Sequence, residues 1–434
     1  MKIRTRRLAY HEVMSLPRPT RRRPTRPSLF FRTLLRVASA FELHAVRFSY
    51  TAHRMELVAG QPCLVLMNHS SFIDLEIAQR VLYPRPVNIV CTTDGFVGFG
   101  KETLMRLIGC IPTQKFVTDV ALIGDMRYAM KELGNTVLMY PEASYSFDGC
   151  ATPLPRKLGV LLKKLDVPVV TIITEGAFAR DPLYNCLQKR RVRVSARVSC
   201  LFTREELREK SVAEIDQQLD ETFSFDGFRW QQENGVEITE PFRADGLHRI
   251  LYRCAHCGAE GQMEGRGTTL TCHHCGKRYE LTTGGFLRAE DGETEFPHIP
   301  DWYRWEREQV RQELLEGRYR LDTDVRIAML VDFKSIYLVG EGHLTHDAQG
   351  FTLTGCEGAL QYRQSPTASY GLYSDYFWYE LGDMIAIGNS DRLYYCFPKD
   401  STPVAKTRLA AEELYKLCKS RVLTPPKPPA EGAG

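Results

Sequence analysis

No apolar run in this chain approaches the ~18 residues that a bilayer-spanning helix needs, which excludes a polytopic membrane protein. The basic N-terminus lacks an adjoining apolar core with a cleavage site, so no signal peptide is expected. No internal repeat is present. The thirteen cysteines are an odd number, and several lie inside apolar runs (Cys63, Cys91, Cys110, Cys200). A secreted disulfide framework looks different, and a reducing cytosol is the expectation. What is present is ordinary: 434 residues, 43% apolar and 25% charged, with a mean hydropathy of −0.29. That composition excludes a disordered or collagen-like chain and leaves room for two to three domains at about 150 residues each.

Acid is nearly missing from the first 36 residues, which hold eleven Lys/Arg against Glu12 alone. The remainder carries 46 basic and 52 acidic residues, so a basic tail leads an acidic body. Such a tail suits an anionic membrane surface or nucleic acid, or it is simply solvated. Residues 1–27, rich in Arg and Pro, read as extended and mobile. Ser28 is a candidate N-cap, after which Phe30, Leu34, Val37, Phe41, Ala45 and Phe48 recur at helical spacing. Aromatics on one face with Arg32, Arg36 and Arg47 towards another suit a helix lying in a membrane interface; the alternative is a helix packed on its own domain.

From residue 61, short apolar runs (Cys63–Met67, Val87–Cys91, Thr136–Tyr140, Val167–Ile173, Val192–Leu201) alternate with helical periodicity (Leu75–Leu82, Leu104–Ile108, Val120–Leu133, Leu158–Leu165). This predicts an α/β layer with a mostly parallel sheet, closed by a helix near Asp216–Phe223. Residues 250–285 carry cysteine pairs, and Glu306–Leu315 reads as a short helix. Beyond Gly317 the chain is β-rich, with runs at Val325–Leu330, Ser335–Val339, Gly350–Thr354, Tyr370–Tyr379, Met384–Ile387 and Leu393–Phe397, then a helix at Lys406–Lys419. Tyr376, Phe377, Trp378 and Tyr379 alternate as a strand would, with core packing the default and a binding surface the alternative. The expected domains are a disordered tail (1–27), an amphipathic interface helix region (28–60), an α/β domain (61–245), a zinc ribbon (246–285), a linker with a short helix (286–320), a β-rich domain with its closing helix (321–421) and a disordered tail (422–434).

Asn68-His69-Ser70-Ser71-Phe72-Ile73-Asp74 follows an apolar strand and opens a helix. Loops at the carboxyl ends of parallel strands are where α/β folds place chemistry. Asp74 can reach back to one imidazole nitrogen of His69, leaving the other as a general base. Ser71-x-x-Asp74 is also a capping box, which alone would explain the aspartate.

Three further blocks follow in order: Gly109-Cys-Ile-Pro-Thr-Gln-Lys115, Pro141-Glu142-Ala143-Ser144-Tyr145-Ser146 behind the strand Thr136–Tyr140, and Val167-Pro168-Val169-Val170. Together the four blocks resemble the 1-acylglycerol-3-phosphate acyltransferase family of glycerolipid acyltransferases over about residues 60–205. That family shows N-H-x4-D, a G-x-I-P block ending in a basic residue, F-P-E-G-T-R-S and V-P-V-x-P. The resemblance implies transfer of an acyl group from acyl carrier protein or coenzyme A to a hydroxyl of a lysophospholipid acceptor. His69 would take the proton and Asp74 would hold His69. Asn68, Lys115, Glu142, Ala143, Ser144, Tyr145 and Lys157 would form the acceptor site, with no redox cofactor. Two departures stand out: E-G-T-R reads Glu142-Ala143-Ser144-Tyr145, without the arginine that pairs with phosphate, and the last Pro of V-P-V-x-P is Thr171. A phosphate site then needs Lys115, with Arg156 or Lys157; Lys115 as a solvated surface lysine is the alternative.

Cys254-Ala-His-Cys257-Gly258 and Cys272-His-His-Cys275-Gly276 are two knuckles that place four thiolates around one tetrahedral ion. With no open coordination position, the zinc is expected to be structural, with His256, His273 and His274 as bystanders. The β-rich region resembles a pleckstrin-homology-like module by element order. The expectation is a membrane-surface O-acyltransferase at the cytoplasmic face, with an anionic membrane as partner and nucleic acid not expected. A non-phosphorylated lyso- or glycolipid acceptor is one alternative, and a non-catalytic membrane- or nucleic-acid-binding protein on this scaffold another.

Overall fold

The computed structural model describes residues 3–117, 119–155, 158–399 and 404–423. The N-terminal residues contain strand β1 (Thr5–Arg7) and helix α1 (Tyr10–Ser15), followed by helix α2 (Leu29–Ala45). The α/β unit contains β2 (Ser49–His53), β3 (Leu64–Met67), α3 (Asp74–Leu82), β4 (Val87–Thr92), α4 (Lys101–Leu107), β5 (Cys110–Thr113), α5 (Val120–Lys131), β6 (Thr136–Met139), α6 (Leu158–Leu165), β7 (Val169–Glu175), α7 (Ala177–Arg180) and β8 (Ser195–Phe202). Helices α8 (Arg204–Glu209), α9 (Val212–Thr222) and α10 (Gly227–Glu233) follow.

The sheet of this unit has seven strands in the order β2-β8-β7-β3-β6-β4-β5. All pairings are parallel except β7–β8. Strand β3 sits between β6 and β7 and is buried at every position, as Leu-Val-Leu-Met dictates for a strand covered on both faces. Leu64 and Leu66 pack towards α5, α6 and α9, while Val65 and Met67 pack towards α3 and the end of α2. The carboxyl ends of β3, β5, β6 and β7 therefore meet at one rim.

The second unit is a four-stranded antiparallel sheet made of β9 (Met263–Arg266), β10 (Thr269–Cys272), β11 (Arg278–Leu281) and β12 (Leu287–Ala289). Helix α11 (Ile299–Leu315) leads into the third unit. There β13 (Leu321–Leu330), β14 (Ile336–Asp347), β15 (Gly350–Gly355), β16 (Leu360–Gln364), β17 (Tyr373–Asp375), β18 (Met384–Gly388) and β19 (Leu393–Pro398) form an antiparallel sheet ordered β16-β15-β14-β13-β19-β18-β17, closed by helix α12 (Val404–Lys419).

Several expectations are corrected. Residues 3–27 are not a loose tail. β1 pairs in parallel with β14, Val13 is buried, Arg18 pairs with Asp391 and Arg21 with Asp125. Backbone pairing to the part of β14 that β15 leaves uncovered and nearby carboxylates hold the segment down. The expected boundary at residue 61 severs β2, which pairs with β8. Helix α11 begins at Ile299 rather than Glu306, with Pro300 in its first turn, where a missing N–H costs nothing. The aromatic run 376–379 is not a strand. Phe377 and Tyr379 have φ of 51° and 47°, and the chain turns there. The expected tail from residue 424 lies outside the described residues.

Candidate active site

Strand β3 delivers Asn68 and His69 to the rim, and α3 begins five residues later at Asp74. Asp74 is fully buried, and its Oδ2 accepts from the backbone N–H of Ser70 (2.8 Å) and Ser71 (3.0 Å). The same oxygen lies 3.0 Å from His69 Nδ1. One oxygen thus meets both the capping N–H groups and the imidazole nitrogen. The other half of the capping box is missing: Ser71 Oγ donates to Asp181 Oδ1 and accepts from Ile73 N. Among the described residues His69 Nε2 has no hydrogen-bond partner.

The imidazole lies between two tyrosine rings, Tyr140 at 4.0 Å and Tyr145 at 3.9 Å, tilted 22° and 27° from parallel. Burial pushes the His69 pKa below its ordinary value, against the opposing pull of Asp74. A neutral ring at physiological pH is the form a general base requires. Neither tyrosine contact was legible, because each aromatic looks like ordinary packing until the β3 and β6 loops are brought together.

Two expected substrate residues, Asn68 and Glu142, make hydrogen bonds within the frame of the site. Asn68 Oδ1 accepts from Thr174 N (2.8 Å) and Thr174 Oγ1 (3.1 Å), and its Nδ2 donates to Ser70 Oγ and Thr174 O. That commits the whole amide to tying β3 to β7. Glu142 Oε2 accepts from His69 N (3.0 Å), and Oε1 accepts from Thr152 N (2.8 Å) and Thr152 Oγ1. Burial pushes the Glu142 carboxyl up to about 7. These hydrogen bonds tie both side chains to the frame of the histidine loop. Ala143 sits at φ 57°, in the left-handed region that glycine occupies without strain.

Lys115 follows β5 and is not a solvated surface lysine. Its Nζ lies 4.5 Å from the centre of the Tyr373 ring and 5.9 Å from that of Tyr145. Burial pushes its pKa down, while Asp375 and Asp94 pull it up. Tyr373 and Asp375 both belong to β17, so the C-terminal unit closes over this corner. Ser144 is buried, and its Oγ accepts from Arg408 Nη2 at 2.9 Å. Arg408 lies on α12, more than 260 residues away in sequence, and no local motif could have signalled it. Lys157 lies outside the described residues.

Residues 49–175 match the acyltransferase family model. This segment is an acyltransferase-family domain. The match runs from the first residue of β2 to the last of β7 and so takes in the strand that the expected boundary severed. Among solved structures, the 1-acyl-sn-glycerophosphate (LPA) acyltransferase PlsC from Thermotoga maritima aligns at 14% identity over 44% of this chain and 76% of that one, with a TM-score of 0.34. No curated protein matches the chain. In the acyltransferase domain His69, the tyrosines and Ser144 lie on strand-end loops between β3 and α6, and Asp74 opens α3.

The four cysteines lie apart from this rim. The sulfurs of Cys254, Cys257, Cys272 and Cys275 all lie within 4.8 Å of one another, with Cys254–Cys275 and Cys257–Cys272 both at 3.8 Å. A tetrahedral ion with metal–sulfur bonds of ~2.3 Å separates its sulfurs by about 3.8 Å, so the thiols fit a single zinc-sized ion. Gly258 and Gly276, at φ 76° and 77°, turn each knuckle. His256 and His273 pair with Glu295 and Glu264 instead. The ribbon is locked to both long helices. Trp302 Nε1 donates to Arg253 O (2.9 Å), Arg253 pairs with Glu313, and Lys406 of α12 pairs with both Glu260 and Glu313.

Among the described residues, no helix is long and apolar enough to cross a membrane. Helix α2 packs on α3, yet it leaves Phe30, Leu34, Val37 and Phe41 exposed at 69%, 50%, 66% and 79%.

Proposed function

We propose that this chain is an O-acyltransferase working at a membrane surface. It moves a fatty acyl group from a thioester of acyl carrier protein or coenzyme A to a hydroxyl of a lysophospholipid such as 1-acylglycerol 3-phosphate. The observation that carries this reading is the buried Asp74 on His69 Nδ1 with Nε2 uncommitted, inside the segment that matches the acyltransferase family.

The chemistry follows from those atoms. His69 Nε2 takes the proton of the acceptor hydroxyl as its oxygen attacks the thioester carbonyl. Asp74 stabilises the imidazolium that forms and holds the ring in place. The tetrahedral intermediate collapses, the carbon–sulfur bond breaks, and the imidazolium returns its proton to the thiolate. Products are the ester and the free thiol. Tyr140 and Tyr145 restrict the ring to one plane and exclude water from its faces, so less orientation has to be found at the moment of reaction.

The exposed apolar stripe of α2 supports peripheral docking on a membrane surface, while Arg32 and Arg36 lie on the opposite face against Pro84 and Tyr83. The scattered cysteines support the cytoplasmic face. The four thiols support a structural zinc, whose contribution is to fold the ribbon and brace α11 and α12. Element order, strands followed by one closing helix, supports a pleckstrin-homology-like third unit. A second reading keeps the chemistry and changes the acceptor to a lyso- or glycolipid without phosphate. It is favoured by one observation: residues 142–145 contain no cation. An acyl-transfer assay with both donors and a panel of phosphorylated and dephosphorylated lyso-acceptors tests both readings. Transfer to the phosphorylated acceptors supports the first, and a preference for their dephosphorylated counterparts supports the second. No transfer with any pair would reject both.

A further inference from the structure

Two cations approach the Ser144–Tyr145 step, one from each side of a domain boundary. Lys115 Nζ faces the Tyr145 ring and, among the described residues, has neither a hydrogen bond nor an ion pair. Arg408 is 3% exposed and reaches in from α12. Its Nη2 donates to Ser144 Oγ and its Nε to Glu412 Oε1 (3.1 Å), while its guanidinium lies over the Phe147 ring at 4.1 Å. Its Nη1 is buried without a hydrogen-bond partner among the described residues.

A buried guanidinium N–H without an acceptor is costly, and a second incompletely paired cation nearby adds to the cost. Arg408 contributes to the downward push on the Lys115 ammonium, behind the larger effect of burial. An anion bound between them would satisfy both. Arg408 also lines a cavity of about 400 Å³ between the acyltransferase domain, α11 and α12, with Phe147, Thr152, Tyr303 and Arg307 among its walls. The cavity opens on the Arg408 side of the step: Asp148, Asp220 and Glu412 also line it, and Lys115, Ser144 and Tyr145 do not. A planar guanidinium fork beside a lysine point charge suits a phosphomonoester.

We propose that Arg408, delivered by α12 of the C-terminal unit, is the cation that the 142–145 block lacks, and that with Lys115 it holds the phosphomonoester headgroup of the acceptor. This rests on the acyl-transfer reading and extends it, making the C-terminal unit part of acceptor recognition. The bracing is continuous: the cysteine ribbon grips Lys406 through Glu260, and Arg307 of α11 pairs with Glu412 and Glu413 beside Arg408.

The test compares the full chain with Arg408→Gln and Arg408→Lys. Turnover is measured on 1-acylglycerol 3-phosphate and on 1-acylglycerol, and binding of glycerol 3-phosphate, glycerol and inorganic phosphate is measured by calorimetry. Arg408→Gln should lose about tenfold or more in kcat/KM on the phosphorylated acceptor, as expected for one charge-assisted contact, and less than about threefold on the other. Glycerol 3-phosphate affinity should fall in parallel. Arg408→Lys should lose less, since it keeps the charge without the fork. If the Gln variant fails to fold, as read by circular dichroism, the Lys variant decides alone: a severalfold loss confined to the phosphorylated ligands supports the proposal. Equal losses on both acceptors, or none on either, would overturn it. Inorganic phosphate binding as tightly as glycerol 3-phosphate would overturn the assignment to an acceptor headgroup. Arg408-dependent binding of glycerol 3-phosphate without acyl transfer from either donor would instead overturn the acyl-transfer reading and leave the anion site standing.

Discussion

At the residue scale the geometry around His69 makes its ionisation behaviour predictable. Burial lowers the proton affinity of the imidazole and Asp74 raises it, with burial the larger effect. The base must be neutral to act, so activity is lost as pH falls through the pKa of His69. The acidic limb of kcat/KM should therefore have its midpoint below the ordinary histidine value of about 6.5. Asp74→Asn removes the opposing pull, so the midpoint should move lower still while the rate drops about a hundredfold or more. A pH–rate profile of the two proteins checks this, and a limb that moves upward in the variant would contradict it. Ala143 offers a separate check. Its positive φ is strained for alanine, so Ala143→Gly should stabilise the fold by about 1 kcal/mol, roughly 1 °C in Tm. An unchanged or lowered Tm would show that the backbone there is relaxed. His69 and Asp74 were legible because spacing within one loop sets their contact. The hydrogen bonds of Asn68 and Glu142 were not, because their partners, Thr174 and Thr152, come from elsewhere in the sequence.

Helices and strands are where periodicity read well and where non-local pairing did not. Helix α6 matches its expected span, and β3, β4 and β6 fall within a residue of theirs, because buried parallel strands are uninterrupted apolar runs. Strands β2 and β5 were missed. Ser49–His53 is fully exposed and polar, and Cys110–Thr113 contains Pro112; both owe their conformation to a neighbouring strand. For α2, the exposed aromatic stripe predicts membrane contact, whereas the arginines of residues 18–21 already pair with acids in the chain. Phe30→Asp and Phe41→Asp should each weaken binding to anionic vesicles by at least about tenfold, since burying one Phe contributes roughly 1.5–3 kcal/mol. Sedimentation with vesicles measures this, and undiminished binding would place the contact elsewhere. For the ribbon, elemental analysis should find about one zinc per chain, absent in Cys254→Ser. Because binding and folding of such a module are coupled, chelation should open residues 250–285 to protease before the α/β core. Simultaneous cleavage of both would contradict a separate metal-held unit.

At the scale of the whole molecule, three units meet where a sequence reading had placed them in line. The order of the units was legible, since each carries its own local pattern: strand–helix alternation, cysteine knuckles, then short strands. Their junction was not, because the contacts that build it, Arg408 to Ser144 and Tyr373 with Asp94, span more than 260 residues. The C-terminal unit thus shapes the corner of the site next to Lys115 and Ser144, while His69, the proposed base, lies within the acyltransferase domain. The account stands or falls on that base. The most direct measurement is single-turnover acyl transfer from a thioester donor to 1-acylglycerol 3-phosphate by the full chain and by His69→Ala, with folding of both verified by Tm. The account predicts a loss of roughly 10²–10⁴-fold in the chemical step with little change in Tm. A His69→Ala protein that transfers acyl groups at close to the unaltered rate would contradict it.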